Sequence, residues 1–184
     1  PVAGRHLGGK FAGLGATRPG DNRMTGNRDR VAILMGGWTS EAAVSRVTAS
    51  FCGQAARNAG WDAIEVEVDR DIAAKLREIN PSRAFNALHG QIGEDGNIQG
   101  LLNIMNIPYT HSGLTASAIA MDKLLAKTLL ASAGILMPPT LALVEDSHVY
   151  PEDSTSGHVI KPRNDGSSFG VVIVPDDKAR PPAR

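Results

Sequence analysis

Val31-Ala-Ile-Leu-Met-Gly-Gly-Trp-Thr-Ser40 is the stretch on which the fold turns. Five apolar residues in a row, closed by a glycine pair, read as a strand buried on both faces, as in parallel sheets. Thr39 and Ser40 stand where a hydroxyl can accept from the free N–H groups of a following helix. That helix is written in Val44, Val47, Phe51, Ala55 and Ala59, spaced by three and four, and ends at Gly60. The spacing predicts that this stripe faces the core, with Cys52 a small residue at the packing edge.

Outward from there the pattern repeats. Asp62–Val68 alternates strictly (D-A-I-E-V-E-V) and predicts a second strand with one wetter face. Asp71–Ile79 is a short amphipathic helix stopped by Asn80-Pro81, and Ala84–Leu88 is a third strand running into His89-Gly90. Strand, helix, strand, helix, strand implies an α/β fold, a parallel sheet with right-handed crossovers. Ile98, Leu101, Leu102 and Met105 mark another helix, and Leu114–Ala120 and Asp122–Ala133 two more, closed by Gly134 and Pro138-Pro139. From Thr140 the character changes to short strands, Thr140–Val144, His158–Ile160 and Val171–Val174. A domain boundary is expected near 120–138, with the second, α+β unit too small to bury a core alone.

Composition sets the outer limits. The 184 residues carry 19 basic and 19 acidic groups, a formal charge of zero. Nonspecific nucleic-acid binding needs a basic surplus, so that role is excluded for the chain as a whole. The zero is an average: residues 1–30 are at +4 and hold seven of the 20 glycines, residues 31–174 are at −5, and 175–184 are at +1. The first thirty residues have no hydrophobic periodicity and read as a disordered leader, and 175–184 as an unstructured tail. One cysteine excludes an internal disulfide and a cysteine-rich zinc site. No apolar run approaches the ~18 residues that span a bilayer, and no secretory h-region opens the chain, so a cytoplasmic protein without membrane association is expected.

Ligands of such sheets sit at the carboxyl ends of the strands. Three loops there are rich. In Gly36-Gly-Trp-Thr-Ser-Glu41, the glycines allow close backbone approach, and Glu41 either holds an ammonium group or complements the helix dipole. In His89-Gly-Gln-Ile-Gly-Glu-Asp-Gly96, a histidine able to donate to a carboxylate is followed by Glu94 and Asp95, which either orient it or hold the loop. The third, Lys161 followed by Gly166-Ser-Ser-Phe-Gly170, suits a phosphate or is a plain hairpin loop. It is not a P-loop, because the lysine precedes the glycines, and Gly36-Gly37 lacks the G-x-G-x-x-G of dinucleotide enzymes. Lys123 and Lys127 read by themselves as a wet helix face, and His6, His111, His148 and His158 as surface residues. The pattern contains no metal-ligand cluster.

Taken together, Val31–Ser45, His89–Gly100 with Ile107-Pro-Tyr-Thr110, Met121-Asp-Lys123 and Val159–Val172 resemble the amino-terminal part of the D-alanine–D-alanine ligases. The most specific piece is His89-Gly-Gln-Ile-Gly-Glu-Asp-Gly-Asn-Ile-Gln-Gly100. The resemblance covers about residues 31–174. It implies an N-terminal (pre-ATP-grasp) substrate domain over 31–120 and the opening of an incomplete ATP-grasp domain over 121–174. It further implies ATP-dependent, Mg²⁺-assisted joining of two D-alanines through an acyl phosphate for peptidoglycan, in a homodimer. Glu41 would hold the first D-alanine's ammonium and His89 its carboxylate. Ser45 and Ser167 would belong to the catalytic centre, and Lys123, Lys161, Ser167, Ser168 and Gly170 would line the ATP phosphates. Two departures stand out: Ala42 replaces the family's arginine after Glu41, and His111 stands where glycine is usual. The family's Mg²⁺ ligands lie in a portion not found here, so an inactive fragment is expected; the alternative is a non-catalytic D-amino-acid-binding or subunit-pairing remnant.

Overall fold

The computed structural model describes residues 29–141, 143, 157–168 and 170–175. Strand β1 runs Arg30–Gly36, followed by helix α1 (Ala42–Asn58), strand β2 (Asp62–Val68), helix α2 (Ile72–Ile79) and strand β3 (Arg83–Asn86). The order across the sheet is β2-β1-β3, all parallel, with Leu34 opposite Val66 on one side and Asn86 on the other. Arg30 lies inside the first strand, its guanidinium on Asp62 (2.9 Å) and on the Ile79 carbonyl (2.9 Å). The folded unit therefore starts at least one residue before the expected boundary at 31.

Alternation along β1 divides the core. Ala32 and Leu34 pack with Val66, Val68, Ile72, Leu76, Ala84, Ile98 and Leu102 on the face covered by α2 and α3 (Asn97–Ile104). Val31 and Ile33 pack with Ala49 of α1 and Ala87 on the opposite face. Both faces of the strand are buried, which is why its sequence is a continuous apolar run. The chain leaves β1 toward β2 through α1 and crosses back to β3 through α2, so right-handed crossovers put the helices on opposite faces. Beyond β3, Pro108 and Thr110 bond to Ala84 (2.8 and 3.1 Å), and Thr110 Oγ1 accepts from Asn86 N (3.0 Å). The Pro-Tyr-Thr segment thus covers that edge through a parallel bridge between Ala84 and Tyr109.

Helix α1 presents a different face from the one its periodicity predicts. Ser45, Ala49 and Gly53 are buried against the sheet, whereas Val44, Val47 and Phe51 are exposed, Phe51 at 75%. Close approach explains the choice: a Cβ on Gly53 would lie 2.7 Å from Glu65 Oε1 and 3.3 Å from Arg57 Nη1. Small residues let helix and sheet come together, and large ones cannot sit there. Nor do Thr39 and Ser40 cap α1. Glu41 occupies the N-cap position, and no side chain makes a cap hydrogen bond.

Helix α4 (Leu114–Met121) and helix α5 (Lys123–Ser132) meet at Asp122, whose carboxylate accepts from Leu124 N and Leu125 N (both 3.0 Å). Strands β4 (His158–Ile160) and β5 (Val172–Val174) form an antiparallel pair. Thr140, Leu141 and Leu143 are not in strand, contrary to the strand expected over Thr140–Val144; among the described residues no ladder forms there to satisfy its backbone, and residues 142 and 144 lie outside the described residues. Residues 1–28 of the leader expected over 1–30, and 176–184 of the tail expected over 175–184, also lie outside the described residues.

Candidate functional site

From β1 the chain turns one way across the sheet and from β3 the other. Between their carboxyl ends lies a switch point, where open α/β sheets bind ligands. The Gly36–Glu41 turn and the His89–Gly96 loop open side by side there. Ser45 fastens the two together. Its buried hydroxyl accepts from Gly36 N (2.9 Å) and donates to the Ala87 carbonyl (2.8 Å), joining the end of β1 to the chain just past β3. With its proton and a lone pair committed to backbone groups, Ser45 braces the two loops at the place where the resemblance implies a member of the catalytic centre.

Glu41 turns its carboxylate away from the helix it begins. A Cβ on Gly90 would fall 1.9 Å from Glu41 Oε2, so only glycine, here at φ +67°, lets the carboxylate lie on the loop. From the other side, Ser167 Oγ donates to Glu41 Oε1 across 126 residues of sequence. The Gly166 Cα sits close to both Glu41 and Glu94, since a Cβ there would lie 3.8 and 3.9 Å from their carboxylate oxygens. The Glu41 side chain makes no cap hydrogen bond to α1 and meets the loop residues instead.

Glu94 and Asp95 hold the loop and leave His89 alone. Glu94 Oε2 accepts from Gly90 N (3.0 Å); Asp95 accepts from Ile92 N (2.9 Å) and Asn97 N (3.0 Å). Asn86 and Gln99, both buried, donate to the Gly93 carbonyl (2.8 and 2.7 Å). A Cβ on Gly93 would meet Leu88 Cβ at 2.4 Å, and Ile92 is held at φ +74°, a costly conformation for a β-branched residue. His89 itself is half-buried, and Nε2 lies 3.0 Å from Thr48 Oγ1 of α1. Thr48, Asn86 and Gln99 are the residues sequence reasoning missed. His111 takes φ +114°, in the region that favours glycine, the residue usual at that place in the family it resembles.

The second half of the site is a small cleft of about 200 Å³ lined by Lys123, Lys161, Pro162, Asp165, Gly166, Ser167, Ser168 and Val171. Pockets for whole drug-sized ligands run to roughly 300–1,000 Å³, so this one has room for phosphate groups rather than a complete nucleotide. Lys123 Nζ donates to the Asp165 carbonyl, and Lys123 N to the Arg163 carbonyl (3.1 Å), so Lys123 is no wet-face lysine. Lys127, four residues on, bonds instead to Thr140 Oγ1 (2.8 Å). Ser167 and Ser168 both have positive φ (49° and 58°), and Gly170 (φ +67°) packs so closely on Pro162 that a Cβ would come within 2.9 Å of its Cγ. Arg163 clamps the loop to the α4–α5 junction through Nε (2.9 Å) and Nη2 (2.6 Å) on Asp122 Oδ2. That guanidinium, helped by the Leu124 and Leu125 amides, holds the Asp122 carboxyl down at about 2.

Positive side chains, hydroxyls and turned backbone in one cleft suit an anionic phosphate group. Among the described residues no group of three or more His, Cys, Asp or Glu side chains converges to hold a metal. Among the described residues no helix is long and apolar enough to cross a membrane.

Residues 55–112 match the family model for the D-ala D-ala ligase N-terminus. The chain is 45% identical over 165 residues to D-alanine–D-alanine ligase B of Brucella melitensis, covering 90% of this chain and 52% of that protein. Among solved structures, a D-alanine–D-alanine ligase from Bacillus anthracis superposes with a TM-score of 0.69 at 32% identity, over 80% of this chain and 50% of that one. A ligase of the same organism complexed with ATP superposes with a TM-score of 0.65 at 30% identity, over the same shares of both chains. The chain spans about half the length of the curated relatives it matches.

Proposed function

Because the chain is homologous to D-alanine–D-alanine ligases over a span that includes their N-terminal region, we propose that it carries the first-substrate pocket and part of the ATP-phosphate cleft of such an enzyme. The reaction is ATP-dependent joining of two D-alanines for peptidoglycan. ATP phosphorylates the carboxylate of the first, and the amine of the second displaces phosphate from the acyl phosphate. The observation that carries this reading is the bond from Ser167 to Glu41, which brings the Lys161–Gly170 loop onto the carboxylate at the switch point. An amino acid held there lies beside the phosphate cleft, as phosphoryl transfer to its carboxylate requires.

Glu41 takes the substrate ammonium, and His89 takes its carboxylate. Lys123 and Lys161 place positive charge where phosphate oxygens gain negative charge, and Ser167, Ser168 and Gly170 close the loop over them. Ser45 keeps the two loops in register. Mg²⁺, when bound, would supply positive charge to the phosphate oxygens; among the described residues no group of three or more His, Cys, Asp or Glu side chains converges to hold it. The exposed Val44, Val47 and Phe51 face of α1 supports self-association, the homodimer of the family; Phe51→Asp is expected to lower the mass seen by sedimentation.

Titration calorimetry tests the pocket. D-alanine is expected to bind the 184-residue chain more tightly than L-alanine, and Glu41→Gln is expected to abolish the heat. No heat with D-alanine, or equal heat with both enantiomers, sinks the reading. Turnover is a separate measurement: ADP release with ATP, Mg²⁺ and D-alanine is expected to be absent for this chain alone. Release that Lys161→Ala abolishes would instead make the chain a complete enzyme.

A further inference from the structure

We propose that Thr48 is a positioning residue that fixes the ring tautomer of His89, placing the proton on Nε2 and leaving Nδ1 to meet the substrate. Thr48 Oγ1 lies 3.1 Å from the Val44 carbonyl oxygen and 3.0 Å from His89 Nε2. A hydroxyl has one proton and two lone pairs, and a carbonyl can only accept. The Thr48 proton therefore goes to Val44, the carbonyl four residues back, as helical threonines commonly do. What faces His89 is a lone pair, and it calls for Nε2–H. With the other tautomer, two lone pairs confront each other, or Thr48 gives up its bond to Val44. One ordinary hydrogen bond is enough to shift such an equilibrium by roughly fivefold to tenfold.

The consequence concerns the substrate. With Nε2 occupied by Thr48, Nδ1 is the polar ring atom left for a ligand, and in the neutral ring it carries a lone pair. It cannot donate to a carboxylate. Only the imidazolium does so, its Nδ1–H on the ligand and its Nε2–H still on Thr48, so carboxylate binding draws a proton onto the ring. The charged groups around it are compatible with that cation. Glu41 comes from the β1–α1 turn and lies against Gly90, and Glu94 comes from the loop itself and holds Gly90 N. The 161–170 loop adds the neutral Ser167 hydroxyl on Glu41, with Lys161 and Asp165 farther along the cleft.

This second step rests on the reading that His89 meets the substrate carboxylate; the Thr48 assignment does not. Ring-nitrogen NMR of the ¹⁵N-labelled chain separates them, with His89→Gln identifying the resonances. The free chain at high pH is expected to show His89 almost wholly as Nε2–H. Thr48→Val is expected to return it to the mixture of free histidine, raising the Nδ1–H share several-fold, and Thr48→Ser to restore it. A wild-type ring in the Nδ1–H form, or one that Thr48→Val leaves unchanged in a folded chain, overturns the proposal. Saturating D-alanine is then expected to move Nδ1 to the protonated position. If Nδ1 stays unprotonated while the Thr48 variants behave as stated, the carboxylate reading fails and the positioning role stands.

Discussion

Ser45 shows how one hydroxyl can organise a site it does not enter. It is fully buried, and its partners, Gly36 N at the end of β1 and the Ala87 carbonyl just past β3, lie where the chain runs on to Glu41 and His89. Ser45→Ala leaves both groups buried without their partner and is expected to cost about 1–3 kcal/mol of unfolding free energy, read from urea denaturation. His111 is the opposite case, a side chain where the backbone wants none. At φ +114° it carries strain that glycine does not, and His111→Gly is expected to raise stability by about 1 kcal/mol in the same assay. Both positions were legible, Ser45 as part of a motif and His111 as a departure from one. Thr48 was not, because a polar residue on a helix face looks solvated unless its partner, 41 residues away, is known.

Elements were read more faithfully than their faces. Strand β1 and the strict alternation of β2 were plain in the sequence, because burial on two faces or on one leaves a pattern of period one or two. Helix α1 misled, since its largest apolar residues point outward and its contact with the sheet is made by Ser45, Ala49 and Gly53. Periodicity counts hydrophobicity, whereas packing here selects small volume. Ala49→Leu is accordingly expected to destabilise by about 1–3 kcal/mol through overpacking. Measured at a dilution where the chain is monomeric, Phe51→Ser should stay within about 0.5 kcal/mol, as exposed substitutions do. Equal losses in denaturant titrations would place the wrong face on the sheet. The strand expected at Thr140–Val144 has, among the described residues, no neighbouring strand for Thr140, Leu141 and Leu143 to bond to.

At the scale of the whole molecule, the contacts that matter join segments far apart in sequence. Ser167 reaches Glu41 across 126 residues, and Arg163 reaches Asp122 across 41. No local period encodes such pairs, and the motifs announced the loops without their meeting. The Asp122 clamp has a pH signature. Its carboxyl is held at about 2, below the ~3.9 of an unfolded aspartate, so the ionised form stabilises the fold. That contribution is complete above about pH 4 and is lost as pH falls through about 2. The Lys123 amide, bonded to the Arg163 carbonyl, is expected to lose exchange protection in that window; Arg163→Ala should bring the Asp122 titration back toward 4. Among the described residues, no strand pairs with the outer edge of β2. Strand β2 lies at the edge of the sheet, offering backbone groups to any passing strand. Its glutamates, Glu65 paired with Arg57 and Glu67 with Arg46, do more than wet one face. A neighbouring molecule docking there must bring its own strand against two ion pairs and strip their water, so the alternation that announced the strand also keeps it from recruiting copies of itself into aggregates.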